Sequence, residues 1–347
     1  LIQVASSRPS LVLLATLAAL WTAKAAAPFL APLTLAMFIL AFAWPVQSFL
    51  QERVPKIIAL VLTLALVLGV MLVLGLLALW AFGAVWQAIS SNAARYQLLY
   101  QSAADWLEGH GIVMAGIWAD NINVNWLLRM TQQIVSRMSQ TMSFWIVAIA
   151  YLVTGLVEVE RVKHNVRGLS DPAVSEIIIG GFGETARKLR RYMWVRTVIS
   201  MFTGVAIGVF ALATQIPFAV EWGVIGFALN FIPFIGPLIA TTLPSLFVLA
   251  HLGDPGFALM VFACLSIVQF LSGNYIEPRV SGDALQLSPF VILVAIFLWT
   301  FIWGIYGTFI GVPIAIAVAA FTSRAPAMRW LSQLMGGGEA LEKRPGA

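Results

Sequence analysis

The spacing of its charges restricts this chain more than any other feature. Eight stretches of 15 residues or more contain no Asp, Glu, Lys or Arg: 9–23, 25–51, 57–94, 138–157, 197–220, 222–250, 255–276 and 284–323. A helix rises about 1.5 Å per residue and the hydrocarbon core of a bilayer is about 30 Å thick, so about 20 apolar residues cross it. Runs such as Ile57–Trp80 are continuously apolar and lack the two-residue alternation of a membrane β-barrel strand. An all-α, polytopic membrane protein of about eight hydrophobic blocks is therefore expected. Composition agrees: 61% of residues are hydrophobic and 10% charged, against about a quarter charged in soluble domains. This excludes a water-soluble enzyme, a disordered chain and a nucleic-acid-binding protein, and makes the lipid bilayer the first partner.

Lys and Arg in the loops set the orientation. Residues 158–196 hold eight, the loop Glu52–Lys56 two and the tail after Phe321 four, whereas 87–140 holds three. With eight single crossings, the simplest scheme, these counts place both termini in the cytoplasm of a bacterial cell whose inner membrane holds the protein. The block at 9–23 is read as a first span ending at Lys24, whose amine reaches the interface, and not as a signal peptide. The expected organisation is 1–86, three transmembrane helices; 87–140, an extracytoplasmic insert; 141–157, a fourth span; 158–193, a cytoplasmic basic helical loop; 194–323, a transmembrane core; and 324–347, a cytoplasmic tail.

Two blocks of the C-terminal half resist a single crossing. Residues 222–250 contain Gly223, Gly226, Pro233, Gly236, Pro237 and Pro244; residues 284–323 contain Gly304, Gly307, Gly311 and Pro313 and are about twice the length of a span. Such breakers permit a packing kink or a pair of half-helices, and freed backbone survives at membrane depth only where protein or water covers it. Both readings stay open, with Gly304, Gly307 and Gly311 as hinge or packing glycines.

The two polar segments read as helical. Ile89, Tyr96, Tyr100 and Leu107 belong to an apolar stripe with coiled-coil spacing in the insert. It packs either on its own return helix near Asn125–Met138 or on a second copy, which makes a homo-oligomer possible. In the cytoplasmic piece, Asp171-Pro172 is a helix start. The cluster Arg187, Lys188, Arg190 and Arg191 is read as an anchor on anionic lipid heads. Gly180, Gly181 and Gly183 lack the strand and the Lys-Ser/Thr pair of a nucleotide loop.

Enzyme signatures are missing. His110, His164 and His251 are scattered and Cys264 is the single cysteine, so no metal, cofactor or catalytic residue is assigned. The chemistry concentrates instead between the last two blocks. Glu277, Arg279 and Asp283 are the only formal charges between Asp254 and Arg324. Pro278 between the first two is expected to stop a helix. The segment is either an ordinary exposed loop or a gating element in which Glu277 and Arg279 pair inside the protein.

Leu229-Asn230-Phe231-Ile232-Pro233-Phe234-Ile235-Gly236-Pro237 resembles the NFIP-x-IGP signature of the autoinducer-2 exporter family of prokaryotic inner-membrane permeases. Glu277-Pro278-Arg279 with Leu287-Ser288-Pro289, and Trp303-Gly304-Ile305-Tyr306-Gly307 with Gly311-Val312-Pro313, are similar to its later motifs. The resemblance covers residues 11–323 and implies a multi-span permease that exports a small polar solute. Some similar proteins are cation/proton antiporters.

The leading expectation is a permease for a small polar solute of the autoinducer-2 type. Its path is lined by Asn230, Pro233, Gly236, Pro237, Gln269, Asn274, Glu277, Pro278, Arg279 and Asp283; Asn230, Gln269 and Asn274 suit a neutral, polyol-like molecule. The alternatives are a monovalent cation/proton antiporter, which would want a mid-membrane carboxylate, and a non-transporting oligomeric scaffold. Introducing Tyr96→Asp with Tyr100→Asp is expected to dissociate a homo-oligomer held by the insert. Light scattering of the detergent-solubilised protein measures this, and an unchanged particle mass rejects the stripe as the contact.

Overall fold

The computed structural model describes residues 8–91, 124–281 and 287–336, with isolated positions between 98 and 109. Among the described residues the regular structure is entirely helical. In chain order the helices are α1 (Arg8–Ala25), α2 (Ala27–Gln51), α3 (Lys56–Ser91), α4 (Val124–Arg167), α5 (Pro172–Ala213), α6 (Ala219–Leu229), α7 (Ile235–Leu252), α8 (Pro255–Leu271), a π turn (Ser272–Ile276), α9 (Glu277–Ser281), α10 (Pro289–Trp303), α11 (Ile305–Arg324) and, after one 3₁₀ turn, α12 (Arg329–Met335). Seven are long and apolar enough to cross a membrane: α2, α3, α4 from Met142, α5, α7, α8 with its π turn, and α11. The protein is a polytopic helical membrane protein.

The eight charge-free blocks are not eight single crossings. The first runs into the second through a bend. The Ala26 N–H donates to Thr22 O at 2.8 Å and the Leu30 N–H to Ala26 O at 2.9 Å, so helical bonding continues on both sides of the joint. Pro28, which has no N–H, weakens the ladder there. The sixth block is divided into α6 and α7 at Asn230–Phe234, and the eighth into α10 and α11 at Gly304. The basic loop is also absent as a loop: α5 is one helix of 42 residues. Its start is the expected one, because the Asp171 carboxylate accepts from the N–H groups of Ala173 (2.9 Å) and Val174 (3.4 Å).

The chain forms two compact units. The first comprises residues 1–68, 143–193 and 281–347. In it α10 and α11 form an antiparallel hairpin, for Gly307 faces the Trp299 carbonyl and Gly311 the Ala295 carbonyl. The Thr300 and Thr308 hydroxyls meet between them at 2.9 Å. At the turn Gly304 has φ 61° and ψ −140°, a conformation essentially restricted to glycine. A Cβ at Gly307 would strike the Trp299 backbone, so this residue sets how closely the two helices approach. Ser288 caps α10 by accepting from the Val291 N–H, with Pro289 in the first turn. The Leu287-Ser288-Pro289 motif is thus a helix start.

The basic cluster is partly internal to this unit. Glu184 receives Arg324 Nε at 2.8 Å and Lys188 Nζ at 2.9 Å. Gly180 and Gly181 lie directly beneath Arg324 and Phe321, so the glycine-rich stretch admits the end of α11 against α5. Arg190 donates from Nη1 to Ala41 O at 2.9 Å. That carbonyl has no helical donor, because the residue four positions on is Pro45. Lys188 and Arg190 are therefore held by protein, and the lipid-anchor reading does not apply to them.

The second unit comprises residues 69–142 and 194–280. Its core gathers Ala81, Val85, Ile207, Trp222, Ile225, Phe247, Val261 and Leu265. The end of α5 and α6 run antiparallel: Gly204 meets Gly223 and Phe227, and Gly208 meets Ala219. Small residues let these backbones touch, as in other membrane helix pairs. α7 then folds back along α6, with Phe247 packed against Phe218 and Trp222.

Arg190→Ala is expected to cost about 1.5–3 kcal/mol, the range for a hydrogen bond to a charged donor. In a Pro45→Ala background the residue 45 N–H can serve Ala41 O, and the same change is expected to cost less than half as much. Thermal unfolding of the four proteins of this double-mutant cycle measures the difference.

Candidate functional site

The second unit buries an uncommon run of polar side chains along α5. Arg196, Ser200 and Thr203 are spaced i, i+4 and i+7, and so share one helix face. Each has a partner from a different place in the chain. Thr203 Oγ1 donates to Ser272 Oγ at 3.0 Å. Asn230 Nδ2 donates to Ser200 Oγ at 3.2 Å. Arg196 meets Glu277 with both guanidinium nitrogens, Nη1 to Oε2 and Nη2 to Oε1, each at 3.4 Å. Ser200, Thr203, Ser272 and Asn230 are buried, each no more than 3% exposed. These three pairs form a polar ladder inside an apolar unit.

Asn230 comes from the break between α6 and α7. Its N–H still bonds Gly226 O at 3.1 Å, after which the chain turns through Ile232 N–H to Leu229 O (2.9 Å) and Gly236 N–H to Ile232 O (3.0 Å). Phe234 takes φ 64° at this tip. Gly236 sits against the Leu229 carbonyl, where a Cβ would collide. Pro233 is buried beside it and Pro237 half-buried in the first turn of α7. The Asn-Phe-Ile-Pro-Phe-Ile-Gly-Pro sequence thus builds a tight tip that presents one amide side chain to α5.

Ser272 and Glu277 come from the π turn, in which the Glu277 N–H bonds Ser272 O, five residues back. This sets the register of the site. In an α-helix the residue on the face below Ser272 is the fourth along, Ile276; in a π turn it is the fifth, Glu277. One extra residue in the turn therefore places the carboxylate opposite Arg196. Gln269 lies one turn before Ser272, and its Nε2 is buried without a hydrogen-bond partner.

The remaining candidates fall elsewhere. Glu277 and Arg279 do not pair. Two residues apart on α9, they project about 200° apart, and exposed Arg279 stacks at 3.9 Å on the Tyr275 ring. Pro278 does not stop the helix, because it occupies the second position of α9, where a missing N–H costs little. Asn274 is exposed and donates to Phe270 O at 3.2 Å within its own helix. Gly304, Gly307 and Gly311 belong to the first unit. Asp283, Tyr96, Tyr100 and Leu107 lie outside the described residues. Ile89, half-buried, packs on the core of its own second unit.

Comparison with known proteins resolves the affiliation. The model of the AI-2E family transporter matches residues 11–327. The chain belongs to this family. Among its relatives, the AI-2 transport protein TqsA of Escherichia coli strain K12 is 26% identical over 295 residues, 84% of this chain and 85% of TqsA. Putative transport protein YhhT of the same strain is 27% identical over 217 residues, 62% of this chain and 61% of YhhT. A putative transport protein of Borreliella burgdorferi is 29% identical over 171 residues, 48% of this chain and 47% of that protein. This AI-2E family member is accordingly a membrane transporter.

Sequence reading missed Arg196, which it counted as the last basic residue of a cytoplasmic loop. The available signal was the spacing of Arg196, Ser200 and Thr203 on one face of the following span. Removing one member of a desolvated ion pair strands the other. Arg196→Gln is therefore expected to destabilise the protein by up to about 3 kcal/mol, and Arg196→Gln with Glu277→Gln by clearly less. Thermal unfolding in detergent compares the two.

Proposed function

We propose that this transporter is a permease that exports a small polar solute of the autoinducer-2 type across a bacterial inner membrane, along the ladder of the second unit. The observation that carries this reading is the buried stack of Asn230–Ser200, Thr203–Ser272 and Arg196–Glu277. It meets at the tip of a broken helix, where transporters place their sites. Hydroxyls and amides there offer donors and acceptors to a solute rich in hydroxyl groups, and Gln269 Nε2 adds an unused donor. The name of TqsA, an AI-2 transport protein, supports the solute class. The pairing of Glu277 with Arg196 favours a permease over a cation/proton antiporter, since a guanidinium holds the carboxylate in its charged form.

Transport, with no catalytic role, is the activity we assign. The loop at 52–56 and the C-terminal tail are placed in the cytoplasm. Treating α6–α7 and α10–α11 as re-entrant hairpins leaves that parity unchanged, because each returns to the side from which it enters. The ion pair of Lys56 with Glu160 at 3.7 Å supports placing that loop and the end of α4 on one side. The side of the N-terminus is left out of the proposal, since α1 bends into α2 instead of making a separate crossing. Assembly with further copies through the 87–140 insert completes the reading.

The test is efflux from liposomes containing the purified protein and loaded with autoinducer-2 or, in parallel, with ribitol. The parent protein is expected to release at least one of them above the protein-free rate. Asn230→Ala is expected to slow release about tenfold, the equivalent of about 1.4 kcal/mol for one lost hydrogen bond. Release by the variant at the parental rate rejects the ladder as the path.

A further inference from the structure

The π turn does more than set a register. It joins two segments with different constraints. Ser272 is 1% exposed and tied to Thr203, whereas Gly273, Asn274 and Tyr275 are exposed and a Cβ at Gly273 would meet nothing. A π turn is less favourable than an α turn and persists where local contacts hold it. One such contact is visible. The Asn274 side-chain amide donates to Phe270 O, the acceptor that the Asn274 backbone N–H uses in an α turn. Nothing packed against Gly273 prevents the turn from tightening. If it tightens, everything after it rotates by about 100° relative to Ser272. Ile276 then takes the place of Glu277 opposite Arg196. The stack of Arg279 on Tyr275 joins residues four apart and can travel with the turn unbroken.

We propose that Ser272–Ile276 alternates between π and α registers, and that this alternation is the gate of the polar ladder. In the π register Glu277 covers Arg196 and the ladder is closed on itself. In the α register the carboxylate leaves, Ile276 faces α5, and the guanidinium with Ser200 and Thr203 is free to take a solute oxygen. The proposal rests on the permease reading above, because it assigns a moving part to that path. Both ladder hydroxyls at Thr203 and Ser272 stay paired in either register, since Ser272 lies before the turn.

Deleting Gly273 tests this, because it removes the extra residue. The turn is then α throughout, yet Glu277 is the fourth residue after Ser272 and still faces Arg196. The ion pair is kept and only the alternation is lost. In a Cys264→Ser background, two cysteine pairs report the register without any substrate: Arg196→Cys with Glu277→Cys, and Arg196→Cys with Ile276→Cys. Both pairs are expected to cross-link in the otherwise parental chain, and only the pair with residue 277 after deletion of Gly273. The deletion, with Arg196 and Glu277 intact, is expected to lower efflux by about tenfold or more, with a thermal midpoint close to the parental one. Asn274→Ala, which removes the contact holding the π register, is expected to raise cross-linking at residue 276, and it serves if the deletion does not fold. Failure of the 196/276 pair to cross-link where 196/277 does, in both the parental and Asn274→Ala backgrounds, overturns the proposal. So does efflux at the parental rate after the deletion. A parental protein that moves neither autoinducer-2 nor ribitol overturns the permease reading instead, and the cross-links still report the turn.

Discussion

The whole structure depends on one requirement, that backbone polar groups surrounded by hydrocarbon find partners inside the protein. The chain contains prolines and glycines in its apolar helices, and each interruption is answered locally. Pro45 frees the Ala41 carbonyl, and Arg190 of another helix takes it. At the bend between α1 and α2 the Trp303 indole donates to Ala23 O at 2.9 Å. The tip between α6 and α7 closes its own turn bonds before α7 begins. Breaks in these helices are therefore joints, each with a named partner, and they occur where another helix is close enough to supply one.

The same requirement explains why so few charges enter the apolar part of the chain and where they go. A charge in a low-dielectric setting is tolerated when paired and hydrogen-bonded. Arg196 and Glu277 satisfy this with two contacts, and Ser200 and Thr203 continue the polar face with partners of their own. Glu184, with Lys188 and Arg324, does the equivalent in the first unit. The ladder differs in its construction. It draws on a straight helix, a hairpin tip and a π turn, two of which are departures from regular α structure at the point where the polar groups meet.

Much of the fold was legible in the sequence, because charge-free length maps directly onto helix length. The caps were legible as well: Asp171 and Ser288 stand before Pro172 and Pro289 and accept N–H bonds from the first turns. The breaks at Pro233–Pro237 and Gly304 could be located, although whether each was a kink or a hairpin could not. The partner of Glu277 was not legible. Helical spacing put Ile276 beneath Ser272 and left Arg279 as the nearest opposite charge in sequence, and no local rule signals the π turn that overrides this. The roles of Gly180 and Gly181 were hidden for a similar reason, since their neighbours Arg324 and Phe321 lie far along the chain.

The sequence by itself determined an all-helical membrane protein, the positions of its apolar segments and the family to which its motifs point. These follow from the energetic cost of placing charge in hydrocarbon, which depends on residue type and run length alone. Tertiary structure decided which polar groups meet. It turned two long blocks into hairpins, sent Arg190 to a carbonyl freed by proline, and brought Arg196 to Glu277 across 81 positions of chain. Pairing of that kind depends on helix register and on the approach of distant backbones. Those are settled only when glycines such as Gly204, Gly223 and Gly307 let the helices touch.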